Sequence, residues 1–107
     1  NFWASWCKPC VDEMPALSRM NSHYASRGVQ FVGIGVDAAE KLAAFVRTTP
    51  VSYPVLVASP AAAMPGLQVK GLPYTVVIGR DGRIEMTRLG RIDEESLEPV
   101  LRRLIGQ

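Results

Sequence analysis

Two cysteines separated by two residues are the part of this sequence with the clearest capacity for chemistry. Cys7 and Cys10 are the only cysteines among 107 residues, with Lys8 and Pro9 between them and Trp6 in front. A C-x-x-C pair can be a redox-active dithiol, half of a zinc site or a small structural disulfide. The surrounding residues, and the elements that position the pair, help to separate these three interpretations.

The pair lies between a predicted strand and a predicted helix. Phe2–Ala4 is apolar and typical of a buried strand, and apolar residues recur at helical spacing after Cys10. Cys7 is therefore expected at a helix N-terminus, where free N–H groups and the helix dipole favour the thiolate and lower the cysteine pKa. Lys8 adds a positive charge nearby. Cys10, one turn further, is expected to be a shielded resolving thiol within bonding reach of Cys7.

Metal binding and a purely structural disulfide are the alternatives. A zinc site needs about four ligands, and the single histidine, His23, is predicted on the solvated face of the first helix. Zinc would require acidic ligands or a second chain, and a copper-binding module would require a histidine that faces the cysteines. A disulfide closing so short a loop adds little stability. Redox chemistry is favoured, and no cofactor is expected beyond the Cys7–Cys10 disulfide itself.

Composition and charge place the chain in the class of small globular domains. Hydrophobic residues make up 48% of the sequence and charged residues 21%, and the net charge is +2. The charges are interspersed without a run of lysines and arginines, so no nucleic-acid partner is expected. Apolar stretches fall short of the roughly 20 residues that span a bilayer. We expect one domain over residues 1–107 that makes no membrane contact itself.

The beginning of the sequence predicts a shortened first strand. The chain opens with Asn1 directly before Phe2–Ala4, without the lead-in that a buried strand normally has. We therefore expect a fragment of a longer protein, with any export signal or membrane anchor upstream of it.

The first half of the chain predicts a helix, a strand and a second helix. The helix after the cysteines is expected to end at Gly28. Val29–Val36 is apolar and rich in β-branched residues, which predicts a strand buried on both faces in a parallel sheet. Asp37 and Glu40 have the spacing of a capping box for a helix that extends to about Thr48.

The second half predicts short elements followed by an antiparallel hairpin and a last helix. These are a strand over Val55–Val57, a helical turn over Ala61–Leu67, strands over Tyr74–Ile78 and Ile84–Leu89 joined by a turn at Arg80–Arg83, and a helix capped by Asp93. The order predicts an α/β protein with a central mixed sheet and helices on both faces.

Two motifs resemble a known family. The segment from Phe2 to Cys10 resembles the active site of thioredoxin-like proteins, and its extension to Pro15 has the pattern W-C-x-P-C-x-x-E-x-P. That pattern is similar to the TlpA/ResA/DsbE branch of bacterial thiol–disulfide oxidoreductases. The segment Val69–Ile78 resembles the V-x-G-x-P-x-T segment of the same branch. The resemblance covers essentially the whole chain and implies a thioredoxin fold.

The resemblance also implies roles for residues near the cysteines. It implies a cis peptide bond before Pro73, facing the cysteines, although most X-Pro bonds are trans. It implies that Glu13 is a partly buried carboxylate with a raised pKa that exchanges a proton with Cys10. The alternative for Glu13 is an acid that the helix dipole favours in the first turns.

A contact surface for a partner protein is expected around the cysteines. It would consist of Trp6, Pro9, Leu72 and Pro73, with simple packing as the alternative.

These features predict a protein disulfide oxidoreductase that works in the periplasm or elsewhere outside the cytoplasm. It would reduce protein disulfides, as in cytochrome c maturation, be re-reduced by a membrane thiol reductant and be anchored through an upstream segment. An oxidant or isomerase of secreted proteins, and a non-enzymatic metal-binding or recognition module, remain alternatives. The T-x-x-C arrangement of thiol peroxidases is absent from the sequence.

Overall fold

The structure, a computed structural model, describes residues 1–58 and 71–106. Its elements are β1 Phe2–Trp3, α1 Lys8–Tyr24, β2 Gly33–Gly35, α2 Ala39–Thr48, β3 Val55–Val57, β4 Tyr74–Ile78, β5 Ile84–Leu89 and α3 Glu94–Leu104. The helical turn that the sequence predicts over Ala61–Leu67 lies outside the described residues.

The strands form one mixed sheet in the order β3-β2-β1-β4-β5. β2 runs parallel to both β1 and β3, whereas β4 runs antiparallel to β1 and β5. The predicted mixed sheet is therefore confirmed. Because β1 is the central strand, the loop that carries the cysteines leaves the sheet from its middle, between two hydrogen-bonded neighbours.

Strand β2 is shorter than the sequence predicts. The apolar run Val29–Val36 forms a strand only over Gly33–Gly35. The hydrogen bonds between strands explain this length, because the two strands that pair with β2 are also short: β1 has two residues and β3 has three. A strand exists only where a neighbour accepts and donates its backbone hydrogen bonds, so apolarity alone overestimates its extent.

Helix α1 begins directly after Cys7 and contains two prolines. Pro9 falls in the first turn, where its missing N–H removes no helical hydrogen bond. Pro15 lies inside the helix without ending it. A short 3₁₀ helix, Ala25–Arg27, follows α1, and Gly28 ends it with a φ of +90°, a conformation that glycine adopts without steric cost.

The capping box predicted for α2 is wrong. The residue that precedes the helix is Ala38, whose side chain makes no cap hydrogen bond. Asp37 accepts a hydrogen bond from the Ala38 nitrogen at 2.8 Å and another from the Ser5 hydroxyl at 2.6 Å. Its carboxylate therefore joins the loop before the cysteines to the loop after β2 and does not close a capping box.

The C-terminal half follows the sequence prediction closely. Strands β4 and β5 have the predicted bounds, and Gly82 in the turn between them has a φ of +84°. Asp93 caps α3 by accepting a hydrogen bond from the Ser96 nitrogen at 2.9 Å. Pro99 lies inside α3 without interrupting it.

Two hydrophobic clusters hold the helices against the sheet. The first joins α1 to α3 and to the segment before β3, and the second surrounds the cysteines. The buried members of the first are Leu17, Met20, Tyr24, Tyr53, Ile92, Leu97 and Leu101. Those of the second are Trp3, Ala4, Cys7, Cys10, Met14 and Leu42. The cysteine pair is thus part of the core rather than an appendage on the surface.

Candidate active site

Cys7 and Cys10 form a disulfide at the N-terminus of α1. Cys7 is the N-cap residue with extended backbone dihedrals, Cys10 lies in the first turn, and their Cα atoms are 5.3 Å apart. The backbone nitrogen of Cys10 donates a hydrogen bond to the Cys7 sulfur at 3.3 Å. The sequence prediction of a helix N-terminus at Cys7 is confirmed, with an N–H group directed at the sulfur.

The two cysteines differ in accessibility. Cys7 is 6% exposed, whereas Cys10 is fully buried. An incoming disulfide therefore reaches the pair at Cys7, and Cys10 is shielded as predicted. The cluster that buries Cys10 also includes Trp3 and Met14. Water therefore has little access to the Cys10 sulfur from the core side.

Lys8 does not direct its charge at Cys7. Its ammonium group lies 3.2 Å from a carboxylate oxygen of Asp12 on the next turn, and both side chains are exposed. An exposed ion pair of this kind is weak and screened by salt. Asp12 offsets the positive charge of Lys8, which leaves the helix N-terminus as the main local feature that favours a thiolate at Cys7.

A hydrogen bond between Ser5 and Asp37 holds the loop that presents the cysteines. The Ser5 hydroxyl donates to the carboxylate, and this bond, together with that from the Ala38 nitrogen, lowers the pKa of Asp37. A backbone hydrogen bond from Cys7 to the Ala4 carbonyl, 3.1 Å long, closes the loop on itself. These contacts limit the positions that Trp6 and Cys7 adopt.

The peptide bond between Leu72 and Pro73 is cis, which confirms the prediction made from the resemblance. Leu72 packs against the cluster that contains both cysteines. The Pro73 carbonyl accepts a hydrogen bond from the Gly90 nitrogen at 2.9 Å. The segment before β4 therefore packs against the cluster that contains the disulfide, although it is more than 60 residues away from the cysteines in the sequence.

The predicted contact surface needs one correction. Trp6 is 70% exposed, Pro9 is exposed and Leu72 is half-buried. Pro73, in contrast, is among the fully buried side chains. Its ring adds no accessible apolar area, so the exposed part of the predicted surface consists of Trp6, Pro9 and part of Leu72.

Glu13 is a buried carboxylate whose two oxygens each accept one hydrogen bond. The side chain is 2% exposed. Its Oε1 accepts from the Asn1 side-chain nitrogen at 2.8 Å, and its Oε2 accepts from the Ile92 backbone nitrogen at 2.9 Å. Burial raises the pKa of Glu13, and these two hydrogen bonds and the charge of Arg91 oppose the rise. The burial and the direction of the pKa shift agree with the prediction, and the proton exchange between Glu13 and Cys10 stays a prediction.

Sequence reasoning missed the partners of Glu13. Asn1 also donates to the Thr75 hydroxyl at 3.0 Å, which places Thr75 in the same network. The pairing of Phe2 with Tyr74 brings Asn1 and Thr75 together. The sequence shows a polar residue, Asn1, at the start of one apolar strand and a threonine, Thr75, early in another. Only the register between the two strands shows that these residues are neighbours.

Three further features are the distribution of possible metal ligands, the position of His23 and an open groove. Among residues 1–58 and 71–106, no three histidine, cysteine or acidic side chains lie close enough together to hold a metal ion. His23 is exposed and contacts the edge of Tyr24, with 4.8 Å between ring centroids. An open groove of about 280 Å³ is lined mainly by apolar residues of β4, of α3 and of the segment before β2, and neither cysteine lines it.

Comparison with known proteins decides the family. The sequence profile of the AhpC/TSA family matches residues 1–87. The chain belongs to the AhpC/TSA family. That match includes both cysteines, Glu13 and the cis-proline segment.

Relatives of this AhpC/TSA chain have names that refer to thiol–disulfide chemistry. The chain is 30% identical over 105 residues to thiol-disulfide oxidoreductase ResA of Bacillus cereus, with 97% of this chain and 61% of that protein covered. It therefore spans about three fifths of the length of this relative. None of its described helices is long and apolar enough to cross a membrane.

Solved structures within this group confirm the fold. A candidate thiol:disulfide interchange protein DsbE from Chlorobium tepidum superposes with a TM-score of 0.89 and 31% identity, covering 98% of this chain and 77% of that one. A thio-disulfide isomerase from Thermus thermophilus gives a TM-score of 0.75 and 31% identity, covering 98% and 75%. The predicted thioredoxin fold and the resemblance to the TlpA/ResA/DsbE type are confirmed.

Proposed function

We propose that this chain is the catalytic domain of a thiol–disulfide oxidoreductase that reduces disulfide bonds in other proteins. The observation that supports this most directly is the geometry of the Cys7–Cys10 disulfide. The accessible sulfur lies at a helix N-terminus, while the second sulfur is buried one turn before the buried carboxylate of Glu13. The names of the relatives agree with this chemistry.

In the first step, the Cys7 thiolate attacks one sulfur of a substrate disulfide. A bond forms between the Cys7 sulfur and that substrate sulfur, the substrate S–S bond breaks, and the other substrate sulfur leaves as a thiolate that takes a proton from water. The Cys10 N–H group, 3.3 Å from the Cys7 sulfur, and the dipole of α1 stabilise the attacking thiolate.

In the second step, Cys10 releases the substrate. The Cys10 thiol gives its proton to Glu13, and the resulting thiolate attacks the Cys7 sulfur of the mixed disulfide. The Cys7–Cys10 disulfide forms, and the substrate leaves as a thiolate. The substrate gains two electrons and the domain loses two, so the cycle requires a thiol reductant, which we place in the membrane as a partner protein.

The exposed surface beside Cys7 supplies the contact with a protein substrate. Trp6 and Pro9 offer apolar area, and Leu72, which packs against the cluster that contains the cysteines, would offer its backbone for pairing with an extended substrate peptide. No further cofactor enters this scheme, because the disulfide itself carries both electrons.

A location outside the cytoplasm fits this chemistry. Protein disulfides form and persist there, and a reductant with defined substrates is needed where they must be opened. We extend the proposal to cytochrome c maturation as the setting and to an anchor upstream of Asn1. The support for both is the resemblance to the TlpA/ResA/DsbE branch.

The reduction potential tests the direction of electron flow. We expect a value for the Cys7–Cys10 couple below about −200 mV, in the range of reducing dithiols. Equilibration of the protein with defined glutathione or dithiothreitol buffers, read by thiol alkylation and mass spectrometry, gives this value. A potential well above about −200 mV would favour the second candidate, an oxidant or isomerase, which the likeness to the Thermus thermophilus isomerase supports.

Trp6 is expected to contribute to recognition of protein substrates rather than to the chemistry. Trp6→Ala should lower kcat/KM about tenfold or more for a folded protein disulfide, because a large aromatic side chain is lost from the contact surface. It should leave the rate with a small disulfide, such as oxidised glutathione, nearly unchanged. Ile84→Ala, which removes a similarly exposed apolar side chain on β5, is the control. Equal losses with both substrates would contradict the recognition role.

A further inference from the structure

We propose that Asn1 and Thr75 together form a reversible hydrogen-bond partner for Glu13, one that accommodates its carboxyl group both with and without a proton on Oε1. This inference rests on the proposed function, in which Glu13 accepts a proton from Cys10. It assigns positioning roles to Asn1, which lies just before the first motif, and to Thr75, which is the threonine of the V-x-G-x-P-x-T segment.

The observed arrangement suits the ionised carboxylate. The Asn1 side-chain nitrogen carries two hydrogens, and both are used, one for Glu13 Oε1 at 2.8 Å and one for the Thr75 hydroxyl at 3.0 Å. The Ile92 nitrogen supplies the donor for Glu13 Oε2 at 2.9 Å. Each carboxylate oxygen therefore has an N–H partner, as a buried negative charge requires.

A proton on Glu13 must go to Oε1. The group facing Oε2 is the backbone N–H of Ile92, which only donates and is held in the chain. The group facing Oε1 is a side-chain amide. A half-turn of the Asn1 amide replaces its nitrogen with its oxygen, which has two lone pairs and accepts from a Glu13 O–H.

Thr75 makes this exchange complete. A hydroxyl both accepts and donates, and its hydrogen rotates freely. When the Asn1 nitrogen faces Thr75, the hydroxyl accepts; when the Asn1 oxygen faces it, the hydroxyl donates. The hydrogen bonds that join the Asn1 amide to Glu13 Oε1 and to the Thr75 hydroxyl can therefore form in both protonation states without backbone movement. A rigid partner would satisfy only one state and would leave a buried polar group unpaired in the other.

The other charged or titratable groups near Glu13 act differently. They are Arg91 before α3, the amino group of Asn1 in this chain, and Tyr53 before β3, whose pKa burial and the Glu13 charge raise. The positive charge of Arg91 favours the carboxylate through space and offers no exchange of donor for acceptor. The amide of Asn1 is the group whose rotation matches the gain or loss of the Glu13 proton.

The titration of the Glu13 carboxyl group in the reduced full chain tests the proposal. Carbon-13 NMR of protein labelled at glutamate side chains reports this titration without reference to activity. Asn1→Leu, which keeps the approximate size but neither donates nor accepts, should raise the Glu13 pKa by about one unit or more. Thr75→Val should move it in the same direction, whereas Thr75→Ser, which keeps the hydroxyl, should leave it within a few tenths of a unit.

Asn21 provides the matched control. It is a buried asparagine, whereas Asn1 is half-buried, and it donates to the Ser52 carbonyl and hydroxyl at 3.1 Å and accepts from the Phe31 nitrogen at 3.3 Å. Asn21→Leu should destabilise the fold in the same way, yet leave the Glu13 titration unchanged.

Two results would overturn the proposal. One is a folded Asn1→Leu protein with the Glu13 titration of the parent. The other, which decides the matter if Asn1→Leu does not fold, is an equal titration in Thr75→Val and Thr75→Ser. A shifted titration combined with an unchanged rate of the second thiol exchange would support the Asn1–Thr75 partner and contradict the role of Glu13 in the proposed function.

Discussion

Replacement of Cys7 by serine is expected to lower the rate of disulfide reduction at least about a thousand-fold, to the uncatalysed background. Serine keeps the shape of the N-cap residue but not the nucleophile, and fully buried Cys10 is not accessible as a substitute. The measurement mixes pre-reduced protein, without added reductant, with a peptide disulfide that releases a coloured thiol. Because no small-molecule thiol is added, the coloured product reports a single turnover of the protein and not the slow reaction of a small thiol with the peptide.

Cys10→Ser is the matched control for this experiment. It removes the second sulfur and leaves the first in place, so one equivalent of coloured thiol should still be released at a rate within about tenfold of the parent. The reaction should then stop, because nothing displaces the bound half of the peptide. A Cys7→Ser protein with a rate within about tenfold of the parent would contradict the assignment of Cys7 as the nucleophile.

Glu13→Gln is expected to slow the second thiol exchange about a hundred-fold at neutral pH, within the usual contribution of a positioned general base. In the parent, the rate should rise as Glu13 ionises and then level off above its raised pKa. In the variant, the rate should follow the ionisation of Cys10 alone and continue to rise towards alkaline pH. Rapid-quench analysis of a preformed mixed disulfide, across a pH series, measures both profiles.

A surface variant controls for the loss of a negative charge. Glu94→Gln removes a carboxylate that pairs with Arg19 at the surface, and it should leave the pH profile intact. Glutamine at position 13 keeps an oxygen for the Ile92 nitrogen, so the fold should survive. An unchanged pH profile in Glu13→Gln would contradict the role of Glu13 as a general base and would assign it a structural role only.

The same variant has a stability signature with a defined sign. Because burial raises the pKa of Glu13, the folded state binds this proton more tightly than the unfolded state. The resulting stability is fully present below the ordinary carboxyl pKa of 4.5 and is lost as pH rises through the folded value. Glutamine does not titrate, so its contribution to the free energy of unfolding does not change with pH. Relative to the parent, the Glu13→Gln protein should therefore be more stable at about pH 7 than at about pH 4, as measured by chemical unfolding.

The features that the sequence predicts well are local ones. The two cysteines and Glu13 lie within two turns of one helix. Their spacing in the sequence is therefore sufficient to predict their order along α1 and the burial of Cys10. The hairpin and the Asp93 cap also depend on neighbours within a few residues. The cis bond before Pro73 depends on a motif rather than on a spacing rule, and the family resemblance supplied it.

The features that the sequence does not predict depend on distant partners. The Glu13 network joins Asn1 to Thr75, which are 74 residues apart, through the register of two strands. The capping box at Asp37 is wrong because Ala38 is the N-cap residue of α2, and the Asp37 carboxylate instead accepts a hydrogen bond from Ser5, 32 residues earlier. Pro73 has the apolar character of a contact residue, yet the tertiary fold buries it. Each of these features involves contacts between residues that are distant in the sequence.

The most direct test of the central claim is to identify the covalent intermediate. The Cys10→Ser protein, in the reduced state, is mixed with a protein substrate that contains one disulfide, and the products are digested and sequenced by mass spectrometry without reduction. We predict a mixed disulfide between Cys7 and one substrate cysteine, in nearly stoichiometric yield. Failure of the folded, reduced variant to form any adduct at Cys7 would contradict thiol–disulfide exchange as the function of this domain.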